Sequence, residues 1–480
     1  MTSQPSAAPR AHTLRGLWLP ALLHVLLCLV LYQYGFSDEQ MQRVRIEGRS
    51  RLIDPYLKAY RLYGPSGVVR TYLRGEQDER LYLEYARLLL LGEVDLAFVA
   101  KRQNDPSLLK PLPPRPWPYK DVRVEYPPLA YAATLPPALV SFDYRPYRYA
   151  FAAYMLLLHA LNLWLCAQLL RERAPCPTRI AWGSLAFCCA LGTVFVTRMD
   201  HAVVTSTLLV VWAFARAERS EGRARIGWAA ACGGLTALGV LVKLVPGLAG
   251  AVAVVFWLRS GSIDRFRLSA MCALVGATVF VGVNLTVYQL AGPNYLDTFR
   301  YHAQRGVQIE SSYAGIIMLL RPLGFAMQVD ESFGSTNLAS AATAVVKTLS
   351  PWLLLAGSTY LLGLRRFAGD ARGALLLICA LLLTFMLTNR VFSPQYLIWV
   401  AAPLCVLYAE NTVTKRGYAL FIGSVFISQL IFPRGYPLLK AFHPLGIFLL
   451  DVRNLSLVGF GIWLVRQHSQ TVRFRRNSHA

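Results

Sequence analysis

The sequence predicts an all-α, polytopic membrane protein of about 11–13 transmembrane helices with a large first exported loop that carries interfacial helices. Three observations predict it. Apolar runs of roughly twenty residues, the length that crosses about 30 Å of hydrocarbon, recur along the 480-residue chain. Hydrophobic residues make up 55% of the chain, which a soluble domain would not distribute as repeated long runs. Between the runs, short basic loops alternate with loops of another character.

The first run, 14–36, follows Arg10 and Arg15 and is expected to be an anchor behind a cytoplasmic tail, 1–13. It is too long for a cleaved signal and lacks a small-x-small cleavage site. A polar stretch, 37–148, comes next and is expected to be an exported loop. The segment 149–466 forms a multi-span core, with apolar runs at roughly 149–170, 180–197, 201–217, 227–242, 244–258, 269–290, 338–363, 373–388, 395–409, 417–432 and 446–466. Several are shorter than a full span, so tilted or paired half-spans are allowed. The tail 467–480 is expected to be a disordered basic arm at the anionic cytoplasmic leaflet.

Orientation follows from charge. The loops RERAPCPTR (171–179), RAERSEGRAR (216–225), RSGSIDRFR (259–267), RRFAGDAR (365–372) and TKR (414–416) are short and basic, which places them and both termini in the cytoplasm. The 37–148 loop is also rich in arginine, but long loops translocate largely regardless of charge. The net charge of +23 is thereby assigned mostly to topology, with a share left for anionic lipid, and not to nucleic acid. Two further apolar stretches are read as helices at the membrane interface. PPLAYAATLPPALVSF (127–142) is short and contains Pro136 and Pro137; the stretch 313–327 is interrupted by Arg321 and Pro322.

Eight of the nine cysteines lie in apolar runs and Cys176 in a basic loop, so an exported disulfide framework is not expected. There is no CxxC and no HExxH, and the histidines are scattered. No metal site and no cofactor is indicated.

The exported loop has two Asp–Glu pairs, Asp38–Glu39 and Asp78–Glu79. The second opens DERLYLEYARLLLLGE, where Leu81, Tyr85, Leu88 and Leu89 recur at helical spacing, as on a helix lying along the membrane. An aspartate at the mouth of the bundle can accept a proton from a hydroxyl. It can equally be a solvated cap, because acids favour first turns. Other ionisable or polar residues gather at run ends on the same deduced side: Arg198 and Asp200, Lys243, Arg305 and Glu310, and Arg390 with Gln395. Such groups near hydrocarbon face a cavity or a partner, or snorkel to the interface. Several cations on one side can neutralise a phosphate, arginine gripping two oxygens and lysine acting as a point charge. Lys347 and Pro351 fit anchoring or packing better than chemistry. Asn284, in NLT, sits inside a run and is not a glycosylation site.

These blocks resemble the GT-C superfamily of polytopic glycosyltransferases that use polyprenyl-phosphate sugars, and within it glycosyltransferase family 87, which holds bacterial polyprenol-phosphomannose-dependent mannosyltransferases. The likeness runs from residue 78 to about residue 410 and rests on ordered segments: DERLYLEYARLLLLGE, EYPPLAYA, TRMDHAVVTSTLLVVWAFARAERSEGRAR, LVKLVPGL, YHAQRGVQIESS and RVFSPQYLIWVAAPL. The resemblance implies a GT-C-like bundle in the bacterial plasma membrane. It implies inverting transfer of a hexose, first of all mannose, from a polyprenyl phosphate to a lipid or glycan hydroxyl on the outer face. In that scheme Asp78 is the base, with Asp38 the alternative. Lys243, Arg305 and Arg390 bind the donor phosphate. Glu79, Tyr126, Asp200, Glu310 and Gln395 contact sugar or acceptor. The stretch 49–74 departs from the family pattern and would be an insertion. Rival readings are a transporter or flippase of lipid-linked sugars and a surface-polysaccharide ligase or polymerase. A transporter would be expected to show paired interrupted half-repeats, and none is visible.

Overall fold

The computed structural model describes residues 78–477, with side chains to residue 466, and in addition residues 19–20, 22–24, 26–27 and 61–62. Asp38, most of the 14–36 anchor and the 49–74 stretch lie outside the described residues.

The chain is an all-α polytopic membrane protein. Four helices precede or open the bundle: α1 (Asp78–Leu91), α2 (Leu96–Gln103), α3 (Tyr131–Ala138) and α4 (Tyr144–Leu169). The bundle continues with α5 (Pro177–Leu191), α6 (Asp200–Glu218), α7 (Gly222–Val242), α8 (Gly247–Arg259) and α9 (Arg265–Ala291). After α10 (Asp297–Gln304) come β1 (Val307–Gln308), α11 (Ser312–Leu319), β2 (Gln328–Ser332) and β3 (Ser335–Ala339). The last helices are α12 (Ala341–Gly363), α13 (Ala371–Thr388), α14 (Ile398–Ala409), α15 (Lys415–Gln429) and α16 (Pro444–Asn477).

Seven helical stretches among the described residues are long and apolar enough to cross a membrane, within α4, α7, α9, α12, α13, α15 and α16. Each of the eleven apolar runs expected after residue 148 contains helix. Length separates them. At 1.5 Å per residue, the 13 residues of α8 and the 12 of α14 reach only about 20 Å, short of the hydrocarbon thickness. The run 180–197 is not one span either: α5 stops at Gly192, which has φ +64°, and one helical turn, Val194–Thr197, follows. A side chain at Gly192 would meet the Gln429 amide at 2.7 Å, so the break is also a close approach.

The bundle is layered by burial. Of the span window in α13, 72% is buried, and α14 is buried almost throughout, so these two form the centre. α9 and α12, with 6% and 11% of their windows buried, lie at the rim facing lipid. α9 is held by α7, where Gly233 lets the helices close: a Cβ there would stand 2.0 Å from the Cys272 carbonyl oxygen. The small-residue crossing replaces hydrophobic drive, which hydrocarbon does not supply between helices.

Both interfacial stretches are too short to span. α3 has 8 residues and keeps Pro136 and Pro137 inside it, and α11 also has 8. The strands make a small antiparallel sheet of order β1–β3–β2, closed by Ser332 opposite Ser335. α4 begins at Tyr144, so the 37–148 loop gives way to helix within its last turn. α16 continues into the tail as far as Asn477. Residues 464–477 contain neither glycine nor proline and are rich in arginine and glutamine, which favour helix.

Candidate active site

The polar groups collect at one end of the bundle, where α1 and α2 cover the starts and ends of the long helices. α1 was expected to lie on the membrane with one face covered. Instead Leu81, Tyr82, Leu83, Tyr85 and Leu88 are all buried, because α3 and α4 pack on it as well as α2. Burial takes its acidic first turn with it: Asp78 is 4% exposed and Glu79 1%.

A carboxylate buried this far must be neutralised or paired. Asp78 is paired twice, with Arg102 at the end of α2 and with Arg198 in the link before α6. Burial alone would raise its pKa, but the two guanidiniums outweigh it and hold the carboxyl below the usual carboxylate range. Glu79 points the other way, toward α4. Tyr144 donates a hydrogen bond to Oε1 at 3.0 Å and Arg148 Nε stands 3.2 Å from the same oxygen. Here burial wins and lifts the pKa to about 7.

The second node is built from three helix ends. Asp200, the first residue of α6, is 1% exposed. Its Oδ1 accepts from Lys243 Nζ at 2.7 Å and from Trp399 Nε1 at 2.6 Å. Lys243 ends α7 in extended backbone and lies over the rings of Tyr396 and Trp399, at 5.5 and 5.1 Å from their centres. Those rings stack at 4.2 Å. Lys243 is therefore neutralised by a buried acid and an aromatic floor.

The third node is different. Arg305 follows α10 and Arg390 follows α13. Arg390 donates from one Nη2 to the carbonyls of His302 and Ala303, at 3.0 and 2.7 Å, at the negative end of α10. Among the described residues, neither arginine is within ion-pair distance of a carboxylate. The Nε of Arg305 is buried with no hydrogen-bond partner there. Burial lowers the Arg390 pKa, and the charge of Arg305 lowers it further, so the two cations repel.

The nodes are neighbours. Tyr82 is within electrostatic reach of Arg198, Asp78 and Asp200, and its ring packs 5.9 Å from that of Tyr126. His302 is within reach of Arg305, Glu125 and Lys243, and bonds the Glu125 carbonyl at 2.7 Å. The sheet ties the far side: Gln308 of β1 donates its N–H to the Arg390 carbonyl at 2.9 Å.

Of the residues singled out in sequence, Asp78, Tyr126, Asp200, Lys243, Arg305 and Arg390 thus fall into one region. Glu79 faces away into α4. Glu310 is fully buried, and its carbonyl accepts from Arg453 of α16. Gln395 is half-buried, and its side chain makes no hydrogen bond among the described residues. Reading the sequence missed Arg102, Tyr82, Tyr396 and Trp399 as parts of the site. Trp399 carried a signal, as a bulky donor beside SPQ at a helix start; Arg102 carried none, because an arginine in a polar loop is ordinary.

No protein-family model matches the chain, and no curated protein sequence matches it. Among solved structures the chain is similar to ArnT from Cupriavidus metallidurans. Against the apo state the identity is 16% over 82% of this chain and 73% of that one, with a TM-score of 0.39. Against the form bound to undecaprenyl phosphate it is 15% over 95% and 78%, with a TM-score of 0.44.

Proposed function

We propose that the chain is an inverting glycosyltransferase that moves a hexose, mannose first of all, from a polyprenyl phosphate to a hydroxyl of a lipid or glycan on the outer face of the membrane. One observation carries the reading: among the described residues Arg305 and Arg390 repel each other without a carboxylate partner, at the same end of a membrane bundle as an ionised Asp78. A pair of cations held together against repulsion is an anion site, and a lipid-borne phosphate is the anion a membrane enzyme meets there. The basic loops at the opposite end support an outward-facing site. The sugar and the acceptor come from the family resemblance of the sequence.

In this reading the acceptor oxygen attacks the anomeric carbon from the face opposite the phosphate. The bond from that carbon to the phosphate oxygen breaks, and its electron pair leaves with the polyprenyl phosphate. Negative charge grows on the leaving oxygens, where Arg305 and Arg390 meet it, as donors in an oxyanion hole do. Lys243 joins them only as far as Asp200 releases it. The hydroxyl proton passes to Asp78, the base. Its low pKa suits a late transfer: the proton becomes acidic only as the new bond to carbon forms, so the carboxylate must be ionised beforehand. Binding of the acceptor exchanges one of its two arginine contacts for the hydroxyl.

The test feeds membranes containing the chain a labelled polyprenyl-phosphate mannose, with glucose and pentose analogues beside it. Label should move to lipid or glycan, and Asp78→Asn should remove transfer while donor binding persists. Passage of the donor across the membrane with its phosphate bond intact would establish a transporter instead.

A further inference from the structure

We infer that the opposite end of the bundle holds a second phosphate site, formed by Arg259, Arg365 and Arg366, that takes the headgroup of an anionic phospholipid. Arg259 ends α8 and donates to the Leu364 carbonyl at 3.1 Å, which joins the end of α8 to the end of α12. Arg366 reaches the Val465 carbonyl of α16 at 3.5 Å. Arg365 lies between them in the chain and is exposed. Burial and the nearby Arg365 both act against the charge of Arg259.

Three acids at this end are already engaged. Glu218 accepts from Trp257 at 2.9 Å and pairs with Arg225 at 3.2 Å. Glu410 pairs with Arg372, and Asp370 caps α13 through the Gly373 N–H at 2.7 Å. Among the described residues none of the three arginines has a carboxylate within ion-pair distance. Arg259 and Arg366 donate to main-chain carbonyls, which leave guanidinium donors over for an external anion.

The surroundings choose the source of that anion. α8 and α12 both pack on α13 while touching each other little. At the arginine end the two helices meet through the Arg259–Leu364 hydrogen bond, beside α13. Leu258 on α8 and Tyr360 on α12 are exposed within about two turns of the cations. A phosphate joined to acyl chains satisfies both parts at once, chains against the exposed Leu258 and Tyr360 and phosphate on the guanidiniums. Free inorganic phosphate would satisfy only one. Basic pockets between helices at the cytoplasmic surface bind lipid headgroups in this way.

The test uses the purified full-length chain in a neutral detergent and follows its thermal unfolding midpoint. Phosphatidylglycerol, phosphatidylcholine or inorganic phosphate is titrated in separate arms. Phosphatidylglycerol should raise the midpoint saturably, and the other two should not. The Arg259→Gln/Arg365→Gln/Arg366→Gln variant should bind phosphatidylglycerol at least tenfold more weakly, each arginine near a membrane surface contributing about fivefold. Arg219→Gln, which removes a cation at the same end that already has Glu172 as partner, should leave it unchanged. The exposed single variant Arg365→Gln, together with native mass spectrometry of retained lipid, reports on the site if the triple variant does not fold. Equal affinity of the wild type and the arginine variants would overturn the proposal. So would equal shifts from phosphatidylcholine, or the full shift from inorganic phosphate.

Discussion

Asp78 and Glu79 are adjacent acids with opposite fates, decided by what each one faces. Asp78 meets two guanidiniums and stays charged; Glu79 meets one guanidinium and a phenol and is pushed to about 7. The signs differ for stability. A raised folded pKa means the folded state holds the proton that the unfolded chain has lost above about 4.5. Glu79 therefore makes the protein less stable as pH rises from about 4.5 to 7, by on the order of 3 kcal/mol, with no further change above. Glu79→Gln should flatten thermal stability across that window. Asp78 acts the other way: its contribution is present above its ordinary pKa and is lost as pH falls through its lower folded value. At the anion site, Arg390→Gln should reduce the turnover rate on the order of a hundredfold, the loss typical of one donor to a developing oxyanion. Arg390→Lys should restore little of it, because a point charge cannot both hold the α10 carbonyls and grip a phosphate. Rates at saturating and limiting donor would check both. Lys243, Arg305 and Arg390 stand out in sequence because charge near the end of an apolar run is costly and needs a reason, whereas Asp78 stands out only as half of an Asp–Glu pair that opens a helix. Their partners do not stand out: nothing in the spacing of Asp200 and Lys243 says that one neutralises the other.

At the scale of elements, the α7–α9 crossing fixes how the rim helix stands. Gly233→Val should force the helices apart, since the added atoms meet backbone that has nowhere to turn. The expected loss is about 1–3 kcal/mol, the usual range for overpacking, seen as a lower unfolding midpoint in detergent. Gly227→Ala, with nothing within 4 Å of the added carbon, should be neutral or slightly stabilising. Helices were the legible part of this fold because hydrocarbon demands long apolar runs. Their breaks were not: the stop at Gly192 depends on Gln429 packing from another helix. The β2–β3 hairpin was also missed. Its two-residue turn, Phe333–Gly334, has positive φ at both positions, but phenylalanine replaces the asparagine or aspartate that usually signals such a turn. The Gly334 N–H then bonds the Gln103 carbonyl at 3.0 Å, so the hairpin braces the helix that brings Arg102 to Asp78.

The molecule as a whole is a bundle with two differently charged ends. At one end acids and cations are interleaved, and among the described residues Arg305 and Arg390 have no carboxylate within ion-pair distance; at the other the short basic loops follow one another. The sidedness has a direct check. Cysteines placed at Ser220 and at Ser332 should label from opposite sides of the membrane, Ser332 from outside, and labelling of both from outside would reverse the orientation. The central claim is that Arg305 and Arg390 form a site for a lipid-borne phosphate. The most direct measurement is equilibrium binding of a polyprenyl phosphate to the full chain in detergent, at two salt concentrations. Wild type should bind, more weakly at high salt. Arg305→Gln/Arg390→Gln should bind at least about tenfold more weakly, the factor that 1.4 kcal/mol represents, while Arg365→Gln at the other end should leave this binding as it is. Equal affinity of the wild type and the Arg305→Gln/Arg390→Gln variant would contradict the account.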